Sequence, residues 1–360
     1  TAGELDTGPN NVALTVTGDI TNSGTLTSNN SAISSRKLIS TGTLSGGGGV
    51  YTVTGAGLGN TVRTVDLGGT VSGNVDVTLT GAGNNRHEDL QASGNIRNLT
   101  INNAAAVVHL GRDTTLDGAL IITAGTLSTD DSGTSVNLTV NDDETDIQAA
   151  GTLTGNASAI SLKALTIRDG GTYNGTSGTT TITGEHGGYA WSNQETDGTG
   201  YVHNKGLVKI APSTDIGNTL VTEDTFYDLE YDMDGSTDII GFDPPSGTIT
   251  ILNNVTGTTG KFCVEGAGDH ITVHGIVHIT SNSWFGGEDG GANQTGNCTL
   301  NHVLLDGGFF VGTNADTLTV QSFRRISGTI YENGATLNIV GTGGVLEGDL
   351  DDFPVNVNLD

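Results

Sequence analysis

The chain is short of most residues that staple, catalyse or carry positive charge. Its 360 residues include 2 cysteines, 1 methionine, 5 prolines and 2 tryptophans, and aromatic residues make up 5%. Two cysteines, Cys263 and Cys298, are too few for a disulfide framework. They either pair, should the fold bring them together, or stay as small buried thiols, and the sequence leaves both readings open. Basic residues number 13 against 40 acidic ones, for a formal net charge of −27. Phosphate binding needs clustered Lys and Arg, and the nearest thing to a cluster is the pair Arg324 and Arg325, so nucleic acid is not an expected partner. No hydrophobic run approaches the roughly 20 residues of a membrane helix, and no charged-then-apolar leader opens the chain, so membrane insertion is not expected either. The chain starts at Thr1 with no initiator methionine, as expected of a processed product or a piece of a longer polypeptide.

What is present is glycine, 57 of them, with abundant Thr, Asn and aliphatic residues on a beat. Triplets of apolar, polar and apolar residues recur as Leu99-Thr100-Ile101, Leu138-Thr139-Val140, Leu165-Thr166-Ile167, Ile249-Thr250-Ile251, Ile271-Thr272-Val273 and Leu318-Thr319-Val320. Alternation of this kind puts Leu, Ile and Val on one face of a strand and Thr on the other. Each run is too short to bury anything alone and needs a near-copy stacked above and below it. With rungs about 18 to 23 residues apart, the expected fold is all-β: a right-handed parallel β-solenoid of about 20 residues per coil. Asp117-Gly118, Asp169-Gly170, Asn174-Gly175 and Asp306-Gly307 supply the corners, where positive φ is cheap for Gly and tolerable for Asn and Asp. Such pairs also suit two-residue hairpins locally.

One continuous solenoid over 1–360 is expected, in three zones. Residues 1–85 are polar, Gly/Thr-rich coils, residues 86–185 hold the most regular coils, and residues 186–360 have longer, aromatic-rich coils. Segments around Pro244-Pro245 and from Ser281 to Asn297 in the last zone should protrude as loops.

Phrases such as Asn98 to Asn102, Gly125-Thr126-Leu127, Tyr201 to Asn204 followed by Val208-Lys209-Ile210, and Thr225 to Leu229 resemble the wording of β-solenoid virion proteins of marine tailed phages, tail fibres and related surface appendages. Secreted bacterial adhesins and archaeal surface proteins use similar language. The resemblance implies an extracellular place on a virion or cell surface, a structural or host-attachment role, and usually a homo-oligomer.

Candidate chemistry is sparse. Carboxylates that could pair for glycoside hydrolysis are Asp130-Asp131, the group Asp142, Asp143, Glu144 and Asp146, and Glu288-Asp289, each of which also reads as a solvated corner. His270, His274 and His278 fall four residues apart, which on a strand puts all three on one outward side. Trp191 and Trp284, if exposed, could stack on sugars. Asn29, Asn98, Asn137, Asn156, Asn174, Asn254, Asn293 and Asn297 open Asn-x-Ser/Thr sequons and are candidate glycosylation sites. No cofactor is implied. The one ion that the composition accommodates is a structural Ca²⁺ on an oxygen-rich corner, at no assigned position, since neither an EF-hand loop nor the nonapeptide of calcium-binding β-rolls occurs.

The expected function is therefore a non-enzymatic extracellular spacer and attachment protein, most naturally a virion fibre, with copies of itself and a host or cell-surface glycan or protein as partners. The alternatives are a cell-surface filament, sheath or S-layer-like protein, and a polysaccharide-degrading spike.

Overall fold

The computed structural model describes residues 3–55, 58, 62–81, 83–90, 93–195, 199–212, 220–235, 238–242, 247–264, 269–286, 297–311, 318–331, 337–340, 345–348 and 357–359. It is all-β, without helices among the described residues, and its strands stack in parallel as a β-solenoid of roughly 22 residues per turn. The turn is longer than the expected 20 because corners absorb extra residues. Asp113 meets Asn137 in the next turn, 24 residues on, across an inserted hairpin. The chain forms two compact units, Thr1–Gly178 and Thr179–Asp360.

Among its described residues the first unit carries its turns on three ladders of short strand segments. One ladder runs from Leu14–Thr15 through Ile33–Ser35 to 51–53, 77–79, 99–101, 120–122, 145–147 and 165–167, each parallel to the next. Within it Val77, Leu99 and Leu120 stand in register, as do Leu79, Ile101 and Ile122, and all of them are buried. The Thr between them, Thr78 and Thr100, points out. Alternation at period two therefore writes both the core and the surface. Each buried Leu, Ile or Val contributes about 1.5–3 kcal/mol, and no single turn could assemble such a core alone.

The second unit repeats the plan with bulkier cores. Val208, Leu229, Val255, Val277, Val303 and Phe323 follow one another in register on one face. On another face Phe262, Phe285 and Phe310 stack inward, with ring centroids 5.5 and 6.4 Å apart. Cross-turn ion pairs edge the outer faces of both units: Arg97 with Asp76, Arg168 with Asp146, and Lys209 with both Glu230 and Asp232.

Corners are set by close approach as much as by turn chemistry. Gly24, Gly42 and Gly69 stack at one corner, and a Cβ on Gly42 would overlap the Gly24 carbonyl oxygen as one on Gly69 would overlap that of Gly42. Only glycine lets the backbone of successive turns come this near.

Candidate functional site

Among the described residues the first unit leaves the coil path most plainly at Asp130–Asp131 and Thr134–Ser135, an antiparallel hairpin in a ladder system that is otherwise parallel. Ser132 and Gly133 at its tip have φ of 50° and 88°, the left-handed pair that a two-residue hairpin turn requires. The hairpin is anchored at its base. His109 Nδ1 donates to Asp130 Oδ1 at 2.6 Å and Ser128 Oγ donates to the same oxygen at 2.6 Å. The Val136 N–H closes onto the Thr129 carbonyl at 3.0 Å, and Thr129 is fully buried with its hydroxyl on the Gly155 carbonyl. Partial burial pushes the Asp130 carboxyl up, but the Ser128 hydroxyl and the His109 ring outweigh it and hold the group below the usual carboxylate range.

Between the hairpin and the preceding corner lies an open cleft of ≈ 530 Å³, lined by Gly111, Arg112, Asp113, Asp131, Thr134, Ser135 and Val136. Arg112 pairs with the buried Asp89, and Asp113 accepts the Asn137 N–H at 2.8 Å. The cleft thus presents charged, hydroxyl and apolar groups together on a fixed frame. Of its lining residues only Asp131 was singled out from the sequence, as half of an acid pair. The signal for the hairpin residues was Asp131-Ser132-Gly133-Thr134, a turn signature that the surrounding single-strand beat outweighed.

The two tryptophans prove unlike. Trp191 is fully buried and cannot stack on a sugar: its Nε1 donates to Asp224 Oδ2 at 2.8 Å, and Tyr201 and Phe226 meet it edge-on. Asp224, 1% exposed, also receives the Asn193 amide at 2.6 Å, and burial pushes its carboxyl above the usual range despite these bonds. Trp284 is half-buried on an outer face, but its ring is stacked with Phe309 at 4.2 Å and Tyr331 at 5.7 Å, and Lys261 Nζ stands 4.7 Å from its centroid. Its faces are given to neighbours in the turn before and the two turns after, which leaves mainly edges to solvent.

The three histidines do not form a row. Strand His270–Gly286 bends round a corner, so that His270 pairs beside Thr248 and Asn297 on one face while His278 lies beside Thr256 and Leu304 on another. His270 Nε2 meets Thr299 Oγ1 at 3.0 Å, and burial lowers its pKa. Among the described residues no group of three or more His, Cys, Asp or Glu side chains could hold a metal ion. Cys263 and Cys298 are both buried and are not joined in a disulfide, and burial pushes the Cys298 thiol up to about 12. Asp146 is tied to Arg168 at 2.6 Å and to Gln148 at 2.9 Å. Glu288, Asp289, Asn293 and Pro244-Pro245 lie outside the described residues.

The sequons follow from corner construction. Asn98, Asn137 and Asn254 each stand one residue before a strand segment. Each turns Oδ1 to accept a backbone N–H from the next turn: Ala119 at 2.7 Å, Ala159 at 3.0 Å and Ile276 at 2.9 Å. An inward aliphatic and an outward Thr come next, so this corner spells Asn-x-Thr by geometry; Asn297-Cys298-Thr299 has the same form. Asn29 and Asn156 sit at φ 50°, their amides on Asp6 and on Ser128 Oγ, and Asn174 Nδ2 lies 3.4 Å from Thr154 Oγ1.

No family model, no curated protein and no solved structure matches the chain.

Proposed function

We propose that the chain is a non-enzymatic structural and attachment protein acting outside the cell, a stiff element of a virion fibre or appendage that meets the host surface. The observation that carries this is the stacking of each turn on the next through parallel ladders over a continuous aliphatic core. Separating two turns breaks backbone hydrogen bonds and exposes core at once, so each unit resists bending and proteolysis. An acidic surface with few lysines keeps such an element dispersed in salty water. Immunogold labelling with antibody to the purified chain tests the placement. Label on virus particles, on fibres or appendages, supports it, and label confined to the cell interior overturns it.

A cell-surface filament or sheath is the second reading, favoured by the sequons, since Asn137 opens one at an exposed corner where a glycan would be accessible. Label along the cell envelope, with glycan mass at the sequon asparagines, would select this reading over the virion.

A further inference from the structure

We propose that the cleft between the Gly111–Asp113 corner and the Asp130–Ser135 hairpin binds one neutral hexose unit of a surface glycan. This rests on the attachment role argued above and gives it a contact point. Three features of the cleft select the ligand. Its volume of ≈ 530 Å³ accommodates a single sugar ring with room for water. Its polar lining mixes acceptors, the Asp113 and Asp131 carboxylates, with groups that donate, Arg112 and the hydroxyls of Thr134 and Ser135. Vicinal sugar hydroxyls are donors and acceptors at once and satisfy both kinds. Val136, 8% exposed on the cleft wall, supplies the apolar contact that ring C–H groups need.

The charge of the lining narrows the class further. Two carboxylates face one guanidinium, and that guanidinium is already paired with Asp89. An anionic sugar would meet net repulsion, whereas a neutral ring pays no charge penalty. The site is also built in advance. Asp130 is clamped by His109 and Ser128, Val136 is closed onto Thr129, and Ser135 Oγ accepts the Ala157 N–H at 3.2 Å. Little ordering is left for the ligand to impose.

The test is saturation-transfer NMR on the whole chain with methyl glycosides of glucose, galactose, mannose and N-acetylglucosamine, and with glucuronate as the anionic probe. Variants are Thr134→Trp, which fills the cleft from an exposed position, Asp131→Asn, which removes a charge without changing shape, and Thr272→Trp in the second unit as control. We expect at least one neutral glycoside to bind wild type and the Thr272→Trp control, with Thr134→Trp abolishing the signal and Asp131→Asn weakening it tenfold or more. Should Thr134→Trp fail to fold, as judged by circular dichroism, Asp131→Asn decides alone. Binding that survives both cleft variants, binding of glucuronate in preference to the neutral sugars, or no binding of any probe by wild type overturns the inference. Immunogold labelling of particles is unaffected by these outcomes, so the attachment role stands or falls separately.

Discussion

At the scale of single residues the strictest requirements come from neighbours a full turn away in sequence. Gly42 has no unusual φ, yet any side chain there would strike the Gly24 carbonyl. Gly42→Ala should therefore destabilise the first unit by about 1–3 kcal/mol, while Gly18→Ala, with nothing within 4 Å of the added carbon, should stay within about 0.5 kcal/mol. Thermal unfolding of the two variants beside wild type measures the contrast. Asp224 makes the second case. Its folded pKa lies above the unfolded value, so the folded state holds the proton more tightly. Its contribution is most favourable at low pH and declines as pH rises from about 3.8 through the raised value. Asp224→Asn carries no such titration, and the stability of wild type relative to this variant should fall between pH 3 and pH 7. Trp191 emission during urea unfolding, in a Trp284→Phe background, reports it, and a pH-independent difference would refute the assignment. Neither constraint was legible beforehand. Trp191 and Asp224 lie 33 residues apart, and the sequence, which offered Trp191 as a sugar platform only if exposed, could not show that its indole meets that carboxylate.

At the scale of strands and corners the sequence was most readable. Leu-Thr-Ile and its relatives announce a strand with one buried face because period-two alternation has no other economical use, and those triplets are indeed the rungs. The corners were less readable, since Gly, Asn and Asp permit several turns and only the stack chooses among them. Hence the hairpin at Asp130–Ser135 showed in the sequence only as an acid pair or a solvated corner, and a strand whose register shifts between Val273 and Ile276 put His270 and His278 on different faces. The corner asparagines show what the stack adds. Asn137 Oδ1 satisfies the N–H of Ala159, which stands one residue before strand Ile160–Ile167 and outside its ladder. Asn137→Ala should cost about 1 kcal/mol and speed amide exchange at Ala159 while leaving Leu162, deeper in the same strand, protected. Equal acceleration at both would mean general loosening rather than loss of one acceptor.

For the whole molecule, the account depends on consecutive turns lying parallel and in register within each unit. Thr78 and Thr100 are outward neighbours in the first unit, Thr250 and Thr272 in the second. Adjacent strands place such residues about 4.8 Å apart at Cα, within the span a disulfide bridges. The direct measurement is oxidation of paired cysteines at those positions, in a chain whose Cys263 and Cys298 are replaced by alanine, read by mass spectrometry of the intact folded protein. The stack predicts ready cross-linking of Thr78→Cys with Thr100→Cys and of Thr250→Cys with Thr272→Cys, and none between Thr78→Cys and Asn102→Cys, two residues out of register. Cross-linking of the out-of-register pair in preference to the aligned ones would contradict it.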